Sequence, residues 1–492
     1  MKSIFLFCLI IANWSWSQGS LSSNDLKISA IKDQLLAEKN QFISNPSLSK
    51  KQNNLLQEKH EQKIDKELTL LNSSLILMEG SMFEKVNGAF QQILKANPSI
   101  PQNTQLVIYK STVFNAFTMG DHIVFVHLGL LYSLKNDSEI ALVLAHEIAH
   151  NTLKHVEKSM IESVKYETND SIKKEIKTIL KDEYGRSSAL NELLVPRLLE
   201  SREVSRNHEF SADSLGLIYI KNAQFNIPTA LSMFEAMEDH THNWSEPFDL
   251  VSCLKLDKFP NIAQKTTEYA AEGSLGSFEE DEDAKPYLAT HPYDRDRFVR
   301  LAKMEKLDTL LEHYKRQENE TRNTELQLIS KEILKTSLQK QNLTLAFYYA
   351  CKHIEHFPKD DFGYEILTAT LKSLAFFKER RTVGKYIQRQ NPNQPEDLDR
   401  SCAFIYSLSP TDCQNLANEY SKMVVNNSTT SPYVSIIQLF EFMETKKFDN
   451  FEALWLSTKK DIQKNNIYWI LKEVENHLYA TERLKFLNPN IK

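Results

Sequence analysis

The chain is poor in residues that bend or cross-link a fold. Only 11 of its 492 residues are glycine, which disfavours architectures built on many tight turns and favours long helices. Five cysteines are too few for a disulfide scaffold, and no two stand in a CxxC spacing, so a cysteine-based zinc site is excluded. Cys402 and Cys413 are able to pair in an oxidising compartment, though spacing alone establishes no connectivity. No charge of one sign dominates. Lys and Arg number 59 and Asp and Glu 65, a net charge of -6, which gives no electrostatic case for nucleic acid or an anionic membrane as partner. Long apolar runs are also missing. The one short run, Ile4 to Ala12, falls below the ~20 residues of a membrane span. It follows Met1-Lys2 and precedes Ser15-Trp16-Ser17, so residues 1–17 read as a secretory signal peptide with cleavage before Gln18. Cys8 lies inside that apolar core rather than at its end, which argues against a lipoprotein. The mature chain is expected to be exported, periplasmic or secreted, with no transmembrane span.

What is present suits a globular protein of two or three domains, with 41% apolar and 25% charged residues. Residues 21 to about 100 read as helix, with a turn at 45–53. Pro98 and Pro101 end that pattern. Leu106-Val107-Ile108-Tyr109 and Ile123-Val124-Phe125-Val126 are β-branched and aromatic runs that read as strands. Residues 156 to 200 read as charged helix, broken at Gly185 and kinked or ended at Pro196. Ser205 to Ile220 form a further helix, and another runs from about Pro228 to Glu238. The acidic run Glu279 to Asp283 reads as a solvated loop. From Asn323 onward the pattern is one of helical hairpins. Pro358 and Pro392 stand 34 residues apart, the tetratricopeptide period. Degenerate repeats and an irregular helical domain both remain open there, and either offers a surface for a protein partner.

The stretch with chemical content is His146-Glu147-Ile148-Ala149-His150. Asn136 is a good N-cap with Glu139 three positions on, and no Gly or Pro follows. On a helix, His146 and His150 share a face one turn apart, so both imidazoles can reach one zinc ion. Glu147 stands beside them, placed to act on a water rather than on the metal. A catalytic zinc takes three protein ligands and leaves a position for water. The helix containing Glu209-Phe210-Ser211-Ala212-Asp213 supplies a candidate third: Glu209 completes a His-His-Glu set. Asp213, one turn on, is placed to accept the N–H of a ligand histidine and fix its tautomer. His155 lies about 140° around the helix from His150 and does not join the site from that helix. It is read as structural or surface, with His122, His127, His208, His240 and His242.

These motifs resemble the gluzincin metallopeptidases of the HtpX, BepA and CAAX prenyl protease family. Ser205-Arg206 before Glu209-Phe210-Ser211-Ala212-Asp213 matches the family's downstream helix. Asn115-Ala116-Phe117 resembles its edge strand, Ile123 to Leu131 the segment leading into the zinc helix, and Thr290-His291-Pro292 with Arg297 its late motif. Thr118-Met119-Gly120-Asp121 stands where the family has Pro-Gly-Gly, so the turn there is shaped differently. The resemblance implies zinc as cofactor and hydrolysis of peptide bonds. It gives His291, with Arg297, as oxyanion or substrate partner, the other reading of His291 being that it fills the fourth zinc position when no substrate is bound, and Asn115 as a holder of substrate backbone. It also implies polypeptide substrates, misfolded or unassembled envelope proteins among them, in extracytoplasmic quality control. A zinc-bearing chaperone that binds clients through its C-terminal helices is the alternative. The expected class is α+β. A helical segment at 18–100 precedes a mostly helical zincin-type domain with a small sheet at 101–305, and an α-helical domain follows at 323–492.

Overall fold

The computed structural model describes residues 23–179, 186–242, 249–272, 294–307, 323–390, 396–424 and 431–480. The signal-peptide residues, Gly185, the Glu279 to Asp283 run, His291 and Pro392 lie outside the described residues. Two units divide the chain. One comprises Met1–Lys110, Asn115–Phe234 and Asp283–Glu318, the other Ser111–Phe114, Glu235–Glu282 and Asn319–Lys492. The fold is the mostly helical α+β class read from the sequence, with a single four-stranded sheet among the described residues.

In the first unit, α1 (Ser23–Asn40) and α2 (Lys50–Leu71) flank the expected turn. Ser49 closes a capping box with Gln52 at the start of α2. The sequence reads helix from there to about residue 100, but a short strand intervenes. β1 (Ile76–Leu77) pairs antiparallel with Ile108 and Tyr109 before α3 (Ser81–Ala96) begins. Its partner lies far along the chain, so no local pattern reports it. β2 (Gln105–Tyr109), β3 (Ala116–Thr118) and β4 (Ile123–His127) complete the sheet in the order β1-β2-β4-β3. β2 and β4 run parallel, and β3 lies antiparallel on β4 at the sheet edge. Phe117 stacks on Phe125 across that pair, ring centroids 4.9 Å apart. After β3 the chain turns at Gly120, whose φ of +97° suits only glycine, and a Cβ there would press on Val156 at 3.2 Å.

α4 (Leu128–Ser133) leads into α5 (Asp137–Thr152), the central helix of the unit. Ile140 to Ala145 are all buried, because α5 is covered on every side. Asn136 caps it as expected, accepting from Glu139 N at 2.9 Å. The Glu139 side chain reaches one residue further back than a capping box, accepting from Lys135 N at 2.6 Å. α6 (His155–Glu167) and α7 (Asp170–Ile179) follow. α8 runs unbroken from Arg186 to Asn222. Pro196 therefore does not end a helix, and Ser205 to Ile220 are the second half of α8. α9 (Ile227–Leu231) and α11 (Asp294–Met304) complete this set, while α10 (Met233–His242) belongs to the second unit from Glu235 onward.

α5 and α8 approach closely because Gly216 meets the backbone of α5. A Cβ at Gly216 would lie 3.0 Å from His146 N and 3.2 Å from Ala145 C. Ala212, one turn before, is fully buried. Small residues four apart let two helix backbones come together.

In the second unit, helices from Leu250–Cys253 to Tyr468–Ala480 pack around one apolar core. Ala346, Ala350 and Ala369 are fully buried in it. Cys402 and Cys413 are not joined: both are free, buried thiols that pack as small apolar side chains on separate helices. No described helix is long and apolar enough to cross a membrane.

Gly216→Ala should destabilise the first unit by about 1–3 kcal/mol, since the added methyl meets backbone that cannot yield. Urea unfolding followed by circular dichroism measures this, and an unchanged midpoint would mean that α5 and α8 have slack.

Candidate metal centre

The α5–α8 contact brings three side chains to one point. His146 Nε2 and His150 Nε2 are 3.0 Å apart. Glu209, from α8, places Oε2 3.4 Å from His146 Nε2 and Oε1 3.5 Å from His150 Nε2. One ligand atom from each of the three lies within 4.8 Å of the others, the one such group among the described residues. Two imidazole nitrogens and a carboxylate oxygen are a donor set that suits zinc, and three protein ligands leave a coordination position open. The residues present therefore fit the ion.

Behind this cluster sits a buried ionic layer. Asp213 Oδ1 lies 2.8 Å from His146 Nδ1. Arg297, from α11, donates from Nε to Asp213 Oδ2 at 2.8 Å and from Nη2 to Oδ1 at 2.7 Å. Its Nη2 is 3.8 Å from Glu209 Oε2. Asp213 is 2% exposed and Arg297 3%, so the bidentate pair is out of water. Arg297, given a substrate or oxyanion role by resemblance, thus has its guanidinium on the carboxylate that orients His146.

Charge in the cluster follows from these contacts. Burial would raise the Asp213 carboxyl, but Arg297 outweighs it and holds the pKa down at about 2. Burial would likewise keep His146 neutral, yet the Asp213 and Glu209 carboxylates override it and hold its pKa up at about 10. Burial and the neighbouring charge on His146 push His150 down to about 3. Two carboxylates against one guanidinium leave an excess negative charge, and His146 takes up a proton in answer. The same pull serves a divalent cation, which requires the neutral imidazole and displaces that proton.

The other expected residues are placed as follows. Glu147 follows His146 on α5 and is partly exposed. Asn115 is exposed just before the edge strand β3, and its carbonyl accepts from His127 N at 3.0 Å. His291 lies outside the described residues. His155 differs from its sequence reading. α5 ends at Thr152, Lys154 takes a left-handed conformation with φ 55°, and His155 opens α6. The helical angle from His150 no longer applies. His155 is buried, with Nδ1 3.0 Å from His150 Nδ1. His208 does not stand apart either, because its ring stacks on that of His155 at 4.2 Å.

A cleft of about 620 Å³ opens beside the cluster, lined by Lys59, Lys63, Met119, His150, His155 and Glu209 among others. α2 thus forms one wall. A buried ion pair between Lys63 and Asp121 ties α2 to the turn after β3. The Asn151 carboxamide accepts from Thr118 Oγ1 at 2.6 Å, tying β3 to α5. Sequence reasoning missed Gly216, although its spacing from Ala212 was the available signal. It also missed the Arg297–Asp213 pair, for which the sequence offers none.

Parts of this chain are similar to known proteins. A Vibrio cholerae protein named as a beta-barrel assembly-enhancing protease is 22% identical over 204 residues, 41% of this chain and 42% of that protein. The Arabidopsis thaliana mitochondrial metalloendopeptidase OMA1 is 25% identical over 133 residues, 27% of this chain and 25% of the plant protein. The chain thus spans less than half the length of these curated relatives. Residues 83–305 match the model of Peptidase family M48, a gluzincin family. The His146-to-His150 stretch and the Glu209 helix both fall inside that segment, and residues 83–305 are a peptidase family M48 domain.

Proposed function

We propose that this domain is a zinc endopeptidase whose metal ligands are His146, His150 and Glu209. The observation that carries the reading is the convergence of those three donors from two helices, with ligand atoms within 4.8 Å of one another. A zinc ion held there supplies Lewis acidity, lowering the pKa of a water toward ~7 and polarising the scissile carbonyl. The remaining steps belong to the chain's own side chains. Glu147 takes the proton of the attacking water and delivers it to the leaving amine. Asp213 holds the Nδ1 proton of His146 and so keeps Nε2 free as ligand. Arg297 keeps Asp213 ionised and acts through it. β3, at the edge of the sheet, pairs with an extended peptide, and Asn115 holds the substrate backbone at its start. His291 serves as the oxyanion partner by family resemblance.

The substrates proposed are misfolded or unassembled polypeptides met after export, with the helices of 323–492 holding the client. The name of the Vibrio cholerae relative supports an envelope setting. The family match supports a peptidase rather than a chaperone that only carries zinc.

Purified protein should cut an unfolded polypeptide such as reduced casein, lose that activity to 1,10-phenanthroline and regain it with added Zn²⁺. Glu147→Gln should keep the zinc content and lose at least about 10²-fold in rate. Equal cutting by both would reject Glu147 as the base. If neither protein cuts while both suppress aggregation of the client, the chaperone reading stands instead. Glu209→Ala should lower the zinc-to-protein ratio seen by elemental analysis, and an undiminished ratio would remove Glu209 from the ligand set. Arg297→Met strands a buried carboxylate and should cost about 3–5 kcal/mol of unfolding free energy, measured by urea titration. A cost near zero would mean that Asp213 finds another partner.

A further inference from the structure

His150 is engaged at both ring nitrogens. Nε2 faces His146 and Glu209, the side read as metal-binding. Nδ1 lies 3.0 Å from Nδ1 of His155. A hydrogen bond between two imidazole nitrogens needs one protonated and one bare, and the surrounding network decides which.

Ser211 makes that decision. Its Oγ is 2.9 Å from the His208 carbonyl oxygen and 3.1 Å from His155 Nε2. A carbonyl can only accept, so the hydroxyl proton goes to His208 O. The lone pair left on Ser211 Oγ accepts from His155 Nε2–H. Neutral His155 with its proton on Nε2 has a bare Nδ1, which accepts from His150 Nδ1–H. His150 is then bare at Nε2, the form in which an imidazole binds a metal. The opposite direction would protonate His150 Nε2 and close it to an ion. The stacked ring of His208, 9° from parallel, holds the plane of His155.

We infer that His155 is a positioning residue of the metal centre: oriented by Ser211, it selects the Nε2-ligating tautomer of His150. The inference rests on the reading of His146, His150 and Glu209 as the zinc site. The two ligand histidines are thereby supported differently. The Asp213 carboxylate stands behind His146, whereas the His155 imidazole stands behind His150.

The test is zinc affinity by competition with a chromogenic chelator on the full chain. His155→Phe keeps a ring against His208 but removes the acceptor, and should raise the zinc Kd about 10–100-fold. His155→Asn, whose amide oxygen stands near the Nδ1 position, should stay within a few-fold of the native Kd. Ser211→Ala should raise Kd several-fold. The Co²⁺-loaded His155→Phe protein should also show shifted visible bands. His150→Ala separates the two readings. If it loses zinc while His155→Phe and Ser211→Ala bind with the native Kd, this inference is overturned and the zinc site stands. If His150→Ala binds as the native protein does, the site reading falls and takes the inference with it. Should His155→Phe fail to fold by circular dichroism, Ser211→Ala decides alone, a several-fold rise supporting the role and an unchanged Kd overturning it.

Discussion

The close approach of α5 and α8 is the constraint on which the rest depends. Gly216 lies against the backbone of His146, and Ala212 is buried one turn earlier. With a larger residue at Gly216 the helices would stand further apart, and Glu209 would leave the pair of histidines. Packing and site are thus one feature. The apolar residues of α5 bury it at the centre of its unit, and the small residues of α8 set how near the carboxylates come.

That proximity has an electrostatic consequence. Glu209 and Asp213 are drawn out of water beside two imidazoles, an arrangement that would be costly without compensating positive charge. Arg297 supplies part of it by a bidentate contact to Asp213. The excess negative charge that remains raises the His146 pKa, and the same charge would favour a divalent cation held by His146, His150 and Glu209. The Arg297–Asp213 pair stands behind His146, and the His155–Ser211 contacts stand behind His150.

α5 was legible in the sequence because its information is local. Asn136 caps it, no Gly or Pro interrupts it, and the four-residue spacing of His146 and His150 places them on one face whatever surrounds them. β2 and β4 were legible from their β-branched and aromatic runs, and α2 from its turn signals. β1 was not, because two residues become a strand only by finding Ile108 and Tyr109. The continuity of α8 was not either: Pro196 signals a kink or an end, and the helix runs through it. The state of Cys402 and Cys413, which spacing left open, is that of two separately buried thiols.

His155 marks the boundary most sharply. Its distance from His150 along an ideal helix excludes contact, and the two rings nevertheless meet because the helix ends first and Lys154 turns the chain through a left-handed conformation. Spacing and residue type by themselves determined which side chains carry donor atoms and which pair shares a helix face. Only the tertiary structure decided that Arg297 would face Asp213, that His155 would face His150, and that Gly216 would bring both helices within reach. The reason is physical: periodicity governs neighbours within one element, whereas contacts between elements depend on where each helix stops and how closely its surface lets another approach.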